Sequence, residues 1–514
     1  MNTLLSVVLV CLVGLTLAHP VDEGMDDRCS VYGPALDQGD TGMVMTYSIE
    51  ALNHLISGFM PFFQESLYLF TVPDMDGSVD LGIANITYSI SNFQFTDIHL
   101  NEFTITPMED KQWIQLTLGD TGLELSFEWS YAQQEWPYVS DSGSGTGSIE
   151  NVSGVTVVSQ SYDTQCGVFQ INLEEFAFDF GDISIHLDGG ASWLYNLVVN
   201  LFIDVIEDMF TDQLNVVLAE AITDIINITI SQGKALTLPV GESGLVSQDC
   251  RYTAVGVIGT DFVSLRSSDY SYVTAEGDDT VYEARGISAK PNLISGDDCQ
   301  VIIDKGVFES NLAAFQAVGA LGGDVDHASV MPQYMPLLST NQLSSIAPAL
   351  FSFYGPDMPL SLRMEVTQEP TIDVMPSAVF LNVTGTLEVY VSETVPQDDS
   401  TPDLYLGISY GLAGLPQTWA EYPTDFDCHM HPYLEASLFN ATATQAPTSQ
   451  YACDTDSPMF KQLNMILGSM AAAPYVSTFT KDNPPTTNLP PFFNFDNPTV
   501  ILQGDYIAYG LKMD

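Results

Sequence analysis

The chain has 514 residues, twelve Lys and Arg against 66 Asp and Glu, and a formal net charge of −54. It is 46% hydrophobic and 11% aromatic, the composition of a folded protein with room for roughly two to four domains. Such an acidic chain repels phosphate backbones, which argues against nucleic acid as a partner. The acids are spread along the chain, so solubility in a salty or acidic fluid accounts for them, with weak, diffuse calcium association as the functional reading.

Residues 1–18 are an apolar block of signal-peptide length, with Thr16 and Ala18 at the small-residue positions before a cleavage point at His19. No later run approaches the ~20 apolar residues of a membrane span, so the expectation is a secreted, extracellular protein. Beyond Cys11 six cysteines remain: Cys29, Cys166, Cys250, Cys299, Cys428 and Cys453. An even number in a secreted chain predicts disulfides. Local pairs Cys250–Cys299 and Cys428–Cys453 are expected, leaving Cys29 with Cys166. Glycosylation sequons stand at Asn85, Asn151, Asn227, Asn382 and Asn440.

Apolar residues at Met45, Ile49, Leu52, Ile56, Phe59 and Phe63 keep a helical interval and predict a helix over Met43–Phe70, interrupted at Pro61. From Ile86 the period becomes two. Ile86, Tyr88 and Ile90, then Phe93 and Phe95, Ile98 and Leu100, and Phe103 and Ile105 alternate with polar residues. Leu123, Leu125, Phe127 and Trp129 repeat the pattern, and Ser142–Ser148 reads as a Gly/Ser hairpin turn. The alternation returns at Phe169–Leu173 and Phe176–Phe180. These are half-buried antiparallel strands, and their near-continuous succession predicts long, twisted strands rather than short sandwich strands.

Ile183–Leu187 reads as one more strand, closed by Gly189 and Gly190. A long helix follows within Leu187–Ile222, with a polar stripe at Asn196, Asn200, Asp204 and Asp208 and a wide apolar face around it. Leu236–Val240 reads as a domain passage. Residues 246–298 are poorly patterned and read as an inserted subregion. Val301–Leu321 predicts a second opening helix. Strands follow at Val379–Val383, Leu387–Val391 and Leu404–Ile408, then a helix over Met459–Ala472 and a final strand over Thr499–Leu511. The order helix, strands, helix thus occurs twice.

Several of these stretches together resemble the secreted two-domain tubular lipid-binding family, which includes bactericidal/permeability-increasing protein, lipopolysaccharide-binding protein and the cholesteryl ester and phospholipid transfer proteins. Gly42–Gly82 is similar to its opening helix and V-P-D turn. Thr164–Ile222, with GGASWLYNLVVNLF, is similar to its cysteine, strand and long-helix passage. Thr237–Val240 is similar to the exit from the first unit, Val301–Ala320 to the helix opening the second, and Phe351–Pro359 with the closing LPPFFNFDNPTVILQGDYIAYGL to the second half.

The resemblance implies an α+β fold of two barrel-like units, each a highly curved antiparallel sheet wrapped on a long helix, joined by a central sheet in a boomerang shape. The expected units are 43–240 and 301–514, with 241–300 as a linker or insertion contributing to the central sheet. It further implies tunnels that hold phospholipid-like molecules without catalysis, cofactor or metal. Burying a methylene contributes ~0.8 kcal/mol, so a long acyl chain supplies on the order of 10 kcal/mol before ordering costs. The expected walls of the first tunnel are Leu52, Ile56, Phe59 and Phe63 from one helix, and Leu194, Val198, Leu201 and Val205 from the other.

The family's usual disulfide would join Cys166 to a helical position near Ala219, where no cysteine stands. The basic tip of the antibacterial members has no counterpart in a chain with twelve basic residues. The resemblance implies phospholipids or other amphipathic lipids as partners, transient contact with membranes or lipoproteins, and a role that extends to innate defence. The competing reading is an acidic, glycosylated matrix or storage protein with weak calcium association.

Asp74–Asp80 hints at a calcium loop but lacks the closing Glu, with Asn85 in its place. Cys428-His429-Met430-His431 has no second cluster at zinc spacing. No arrangement for nucleophilic catalysis is legible, and no enzyme is predicted.

Overall fold

The computed structural model describes residues 41–54, 57, 74–80, 85–134, 138–163, 168–179, 181–188, 235–240, 244–249, 253–268, 270–275, 278–281, 296–319, 321–329, 335–397, 400–424, 427–445, 450–452, 458, 460–461, 487–489 and 493–513. Among them strands dominate, all paired antiparallel, and helices are few.

The chain opens with strand β1 (Met43–Ser48) and a helical segment α1 at residues 49–54. Strands β2 (Met75–Asp80), β3 (Asn85–His99), β4 (Glu102–Met108), β5 (Trp113–Gln133), β6 (Ser140–Asp163), β7 (Val168–Asp179) and β8 (Asp182–Leu187) follow. They form one sheet in the order β2-β3-β5-β6-β7, with β4 also on β5 and β8 also on β6. As the alternation predicts, the strands are long: β5 has 21 residues and β6 has 24. Along β5 the residues Leu123, Leu125, Phe127, Trp129 and Tyr131 are buried while Glu124 and Glu128 are exposed, the signature of a sheet with one dry face.

Ser142–Ser148 is strand rather than turn. Its glycines alternate, and each sits opposite a bulky residue of β5: Gly143 opposite Trp129, Gly145 opposite Phe127, Gly147 opposite Leu125. A Cβ on Gly145 would lie 2.5 Å from the Phe127 ring and 3.1 Å from Leu187. The glycines therefore make room for an aromatic row, in which Phe93 stacks on Phe127 and Trp129 on Tyr131 at centroid distances of 5.3 and 5.9 Å.

The stretch expected to be an unpatterned insertion is also strand. It holds β10 (Gly244–Asp249), β11 (Val257–Ile258), β12 (Phe262–Ser267), β13 (Tyr270–Ala275) and β14 (Asp278–Val281), with β9 (Ala235–Val240) in the expected domain passage. One small sheet runs β14-β13-β10-β9. The second half contains β15 (Cys299–Asp304), α2 (Lys305–Ala317), β16 (Gly323–Val325), α3 (Thr340–Leu343), α4 (Pro348–Tyr354), β17 (Ser361–Met375), β18 (Ala378–Tyr390), β19 (Leu404–Thr424), β20 (Asp427–Gln445), β21 (Thr487–Leu489), β22 (Phe493–Gln503) and β23 (Tyr506–Met513). Its sheet runs β16-β17-β18-β19-β20-β21. The expected final strand is thus a hairpin, turned at Gly504, whose φ of 59° suits glycine.

A six-stranded central sheet in the order β11-β12-β1-β15-β23-β22 joins the halves. Both expected opening helices are corrected here: Met43–Ser48 and Val301–Asp304 are strand, and helix starts only after them. Residues Met43–Tyr47 and all of β15 are buried. A strand covered on both faces loses its alternation, and its apolar run then fits a helical template equally well.

The two strands are related by a local two-fold. They pair antiparallel, with Met45 opposite Val301 at the centre. Ser48 N–H donates to Asp298 O at 3.0 Å and Asp304 N–H to Gly42 O at 2.8 Å. Ile49 N–H donates to Asp261 O at 2.9 Å and Lys305 N–H to Asp505 O at 2.8 Å. Each strand ends in a helix cap: Ser48 Oγ accepts from Ala51 N–H, and Asp304 Oδ1 from Gly306 N–H. At the centre of the fold the order strand, cap, helix thus occurs twice. The long helix expected beyond Leu187 and the helix expected over Met459–Ala472 lie outside the described residues, apart from residues 460–461, which are helical.

Candidate functional site

In the first half, α1 is laid on the sheet by one amide. Ile105 N–H donates to Asn53 Oδ1 at 2.6 Å, and Asn53 Nδ2 donates back to Ile105 O at 3.4 Å. Asn53 thus satisfies the side of β4 that does not pair with β5. The adjacent Leu52 is fully buried, in the same apolar cluster as Ile105, Ile114, Leu116 and Val158. Of the eight expected tunnel residues, Leu52 stands in the apolar interior. Ile56, Phe59, Phe63, Leu194, Val198, Leu201 and Val205 lie outside the described residues.

The second half repeats the arrangement. Helix α2 buries Val307, Phe308, Leu312 and Phe315. It is fixed to β17 by Gln316 Nε2 donating to Val366 O at 3.2 Å and by Glu309 Oε1 accepting from Ile372 N–H at 3.3 Å. Both contacts flank the register shifts between Val366 and Thr371, where the ladder of β17 and β18 is interrupted. The facing strands supply Leu362 and Met364, Leu381 and Val383, and Ile408 and Tyr410. At the end of this sheet remote from the central sheet, α3 and α4 add Leu343 and Leu350. There Asp403, itself buried, accepts from Tyr354 Oη at 2.8 Å and from Val391 N–H at 2.8 Å.

This interior is mostly apolar, with the buried carboxyls of Asp403 and Asp304 at its ends. Burial pushes the Tyr410 phenol up, so it stays protonated. Tyr354 is pushed up to about 12 by burial and by the Asp403 carboxylate, and Tyr390 to about 12 by burial and Glu388. Asp304 is raised to about 7, chiefly by burial. Among the described residues no three His, Cys, Asp or Glu side chains converge on a metal site.

Cys299 is a free, buried thiol, raised by burial and by Asp298 and Asp297, so the expected Cys250–Cys299 bridge is not formed here. Cys428 lies on β20 opposite Leu489. Cys29, Cys166, Cys250 and Cys453 lie outside the described residues. Four sequon asparagines, Asn85, Asn151, Asn382 and Asn440, are exposed, and Asn227 lies outside the described residues. Asn53, Gln316 and Glu309 were not singled out by the sequence. Polar residues beside apolar helix positions were the signal.

Residues 51–229 match the N-terminal domain of the LBP / BPI / CETP family and residues 299–409 its C-terminal domain, together more than half of the chain. The chain belongs to the LBP / BPI / CETP family. Members of this family bind lipids and are not enzymes. A bactericidal permeability-increasing protein of Sebastes schlegelii is 23% identical over 339 residues, 64% of this chain and 67% of that protein. A BPI/LBP family protein of Arabidopsis thaliana is 23% identical over 319 residues, 61% of each chain. A crystal structure of lipopolysaccharide binding protein superposes with a TM-score of 0.55 at 13% identity, covering 92% of this chain and 99% of that one. That likeness establishes the fold alone. The family match bears out the resemblance read from the ordered sequence stretches.

Proposed function

We propose that this chain is a secreted lipid-binding or lipid-transfer protein holding phospholipid-like molecules between helix and sheet in each of two units, 43–240 and 301–514. Residues 241–300 would bridge the units. The observation that carries this reading is the continuous apolar interior that reaches from Leu52 of α1 in one half to Phe315 of α2 in the other. Family membership supplies the ligand class. Residues 1–18 would direct secretion, the exposed sequons would carry glycans, and a defence role would follow from the kind of lipid held.

The test is native mass spectrometry of the secreted protein, followed by organic extraction and lipid identification. Bound phospholipid at one or two per chain is the expected result. Protein that stays empty after incubation with phosphatidylcholine vesicles would refute the carrier reading. A salt-sensitive uptake of many calcium ions by such empty protein would favour the acidic matrix reading instead.

A further inference from the structure

The segment from Ser339 to Pro359 closes on itself at the outer end of the second sheet. Ser339 bridges Pro359, Leu360 N–H donates to Leu338 O at 3.0 Å and Thr340 N–H to Met358 O at 2.9 Å, so the two ends form a neck. Thr340, fully buried, ties the neck to the end of α4, its Oγ1 donating to Gly355 O at 2.8 Å. Beyond the neck, α3 and α4 with the turn between them bury Leu343, Ile346 and Leu350 in the main core. On the outer side Ser344, Ser345, Pro348, Ala349, Ser352 and Phe353 are exposed. Phe353 is 70% exposed, more than any other large hydrophobic residue among those described.

Charge sets this surface apart. Residues 328–356 hold no Asp, Glu, Lys, Arg or His, the longest such stretch in a chain that is 15% charged. Asp357, which ends the stretch, is held at the neck by Asn341 Nδ2. Residues 436–453, which deliver Tyr451, carry no charged residue or His either. The two stretches meet at Phe353. Its ring centroid lies 4.9 Å from that of Tyr354, edge-on, and 5.9 Å from that of Tyr451. Asp403 holds both tyrosines from within, Oδ1 accepting from Tyr354 Oη and its backbone O from Tyr451 N–H at 3.2 Å. The projecting ring is therefore backed by fixed neighbours, which lowers the ordering cost of binding through it.

We propose that this face docks on a lipid surface of zwitterionic head groups, with Phe353 entering the boundary between heads and acyl chains and Tyr354 and Tyr451 behind it at the level of the heads. Aromatic side chains are favoured at that depth, where one end meets hydrocarbon and the other meets water. An uncharged face brings no ion to be stripped of its water. A chain of net charge −54 is repelled by an anionic surface and not by a zwitterionic one. Size argues against a protein partner: a stable protein interface buries about 800 Å² on each side, and one projecting ring amid Ser, Pro and Ala offers about 150–250 Å². The nature of the partner rests on the lipid-binding reading; what is added is the place, in the second unit, where chain and lipid surface meet.

The experiment is flotation of the full chain with vesicles of phosphatidylcholine, and with vesicles of phosphatidylcholine and phosphatidylserine. Wild type is compared with Phe353→Ser and Phe353→Trp. Wild type is expected to float with phosphatidylcholine and less with the anionic vesicles. Phe353→Ser should bind about tenfold more weakly. Phe353→Trp should bind as wild type does, its added indole moving to bluer emission on vesicles. The position is exposed, so both variants should keep the melting temperature of wild type and the lipid extracted from the secreted protein. Equal flotation of Phe353→Ser and wild type, or no flotation of wild type, would overturn the docking face, and lipid in the extract would then leave the carrier reading standing. Stronger binding to the anionic vesicles would overturn the match to zwitterionic heads. A wild-type dimer in sedimentation that Phe353→Ser abolishes would overturn the lipid surface in favour of a second copy of the chain. Flotation that depends on Phe353, in a protein that yields no extractable lipid, would uphold the docking face and remove the carrier reading.

Discussion

Asp304 makes the stability of the helix–sheet junction depend on pH. Its carboxyl is buried at the end of β15, where Oδ1 accepts from Gly306 N–H at 2.7 Å. Burial raises it to about 7, with Asp505 and Glu309 adding to the rise and the Gly306 hydrogen bond and Lys305 opposing it. Because the folded value lies above the unfolded one, the folded chain holds the extra proton between about pH 4 and pH 7. The stabilisation is complete below the unfolded value and is lost as pH rises through about 7.

A shift of this size corresponds to about 4 kcal/mol at 1.36 kcal/mol per unit, and relaxation around the charge reduces it to about 2–4 kcal/mol. Asp304→Asn keeps a good cap residue and removes the titration. Hydrogen exchange of the peptide spanning residues 299–317, followed from pH 4 to pH 8 and corrected for intrinsic rates, measures local opening. Wild type is expected to lose protection as pH rises, while Asp304→Asn holds a flat profile and is the better protected of the two at pH 8. Parallel profiles for the two proteins would refute the assignment.

Gly145→Val should destabilise the first sheet by about 1–3 kcal/mol, because its Cβ meets the Phe127 ring and nothing there can retreat cheaply; the melting temperature reads this, and an unchanged value would mean the aromatic row is loosely packed. Asn53→Ala should leave the Ile105 N–H and C=O unpaired and cost about 1–3 kcal/mol, seen as faster exchange confined to Glu102–Met108. Phe315→Ala, deleting a fully buried ring beneath α2, should cost about 3–5 kcal/mol by urea denaturation, with a cost under one kcal/mol indicating an interior that already holds open space.

The parts of the fold that were legible were those with one wet face. Glu124 and Glu128 alternate with Leu123, Leu125 and Phe127, and that alternation alone locates β5. Where both faces are covered the signal vanishes, which is why β1 and β15 read as the starts of helices. Glycine misled in a different way. Gly143, Gly145 and Gly147 carry no hydrophobic signal, and their spacing of two has meaning only opposite Trp129, Phe127 and Leu125 on the preceding strand. The short strands β10 to β14 are rich in Ser, Asp and Gly and owe their pairing to neighbours the local sequence does not name. At the site, Leu52 was legible from helical spacing. Asn53 and Gln316 were not, because their partners are backbone groups of distant strands.

The central sheet also sets a timetable for the chain's birth. Strand β1 is completed early, yet its neighbours β12 and β15 lie about 210–260 residues later. At a synthesis rate of about 5–20 residues per second, β1 waits roughly 10–50 s before either edge can be paired. During that wait it is an apolar strand with both rows of backbone groups open, the kind of segment that pairs with the wrong chain. The sheet that joins the two halves is therefore a late, long-range event, closed only when β23, ending at Met513, docks on β15. Loss of the eight residues of β23 would strand a nascent chain with its centre unzipped, however well each half had already folded.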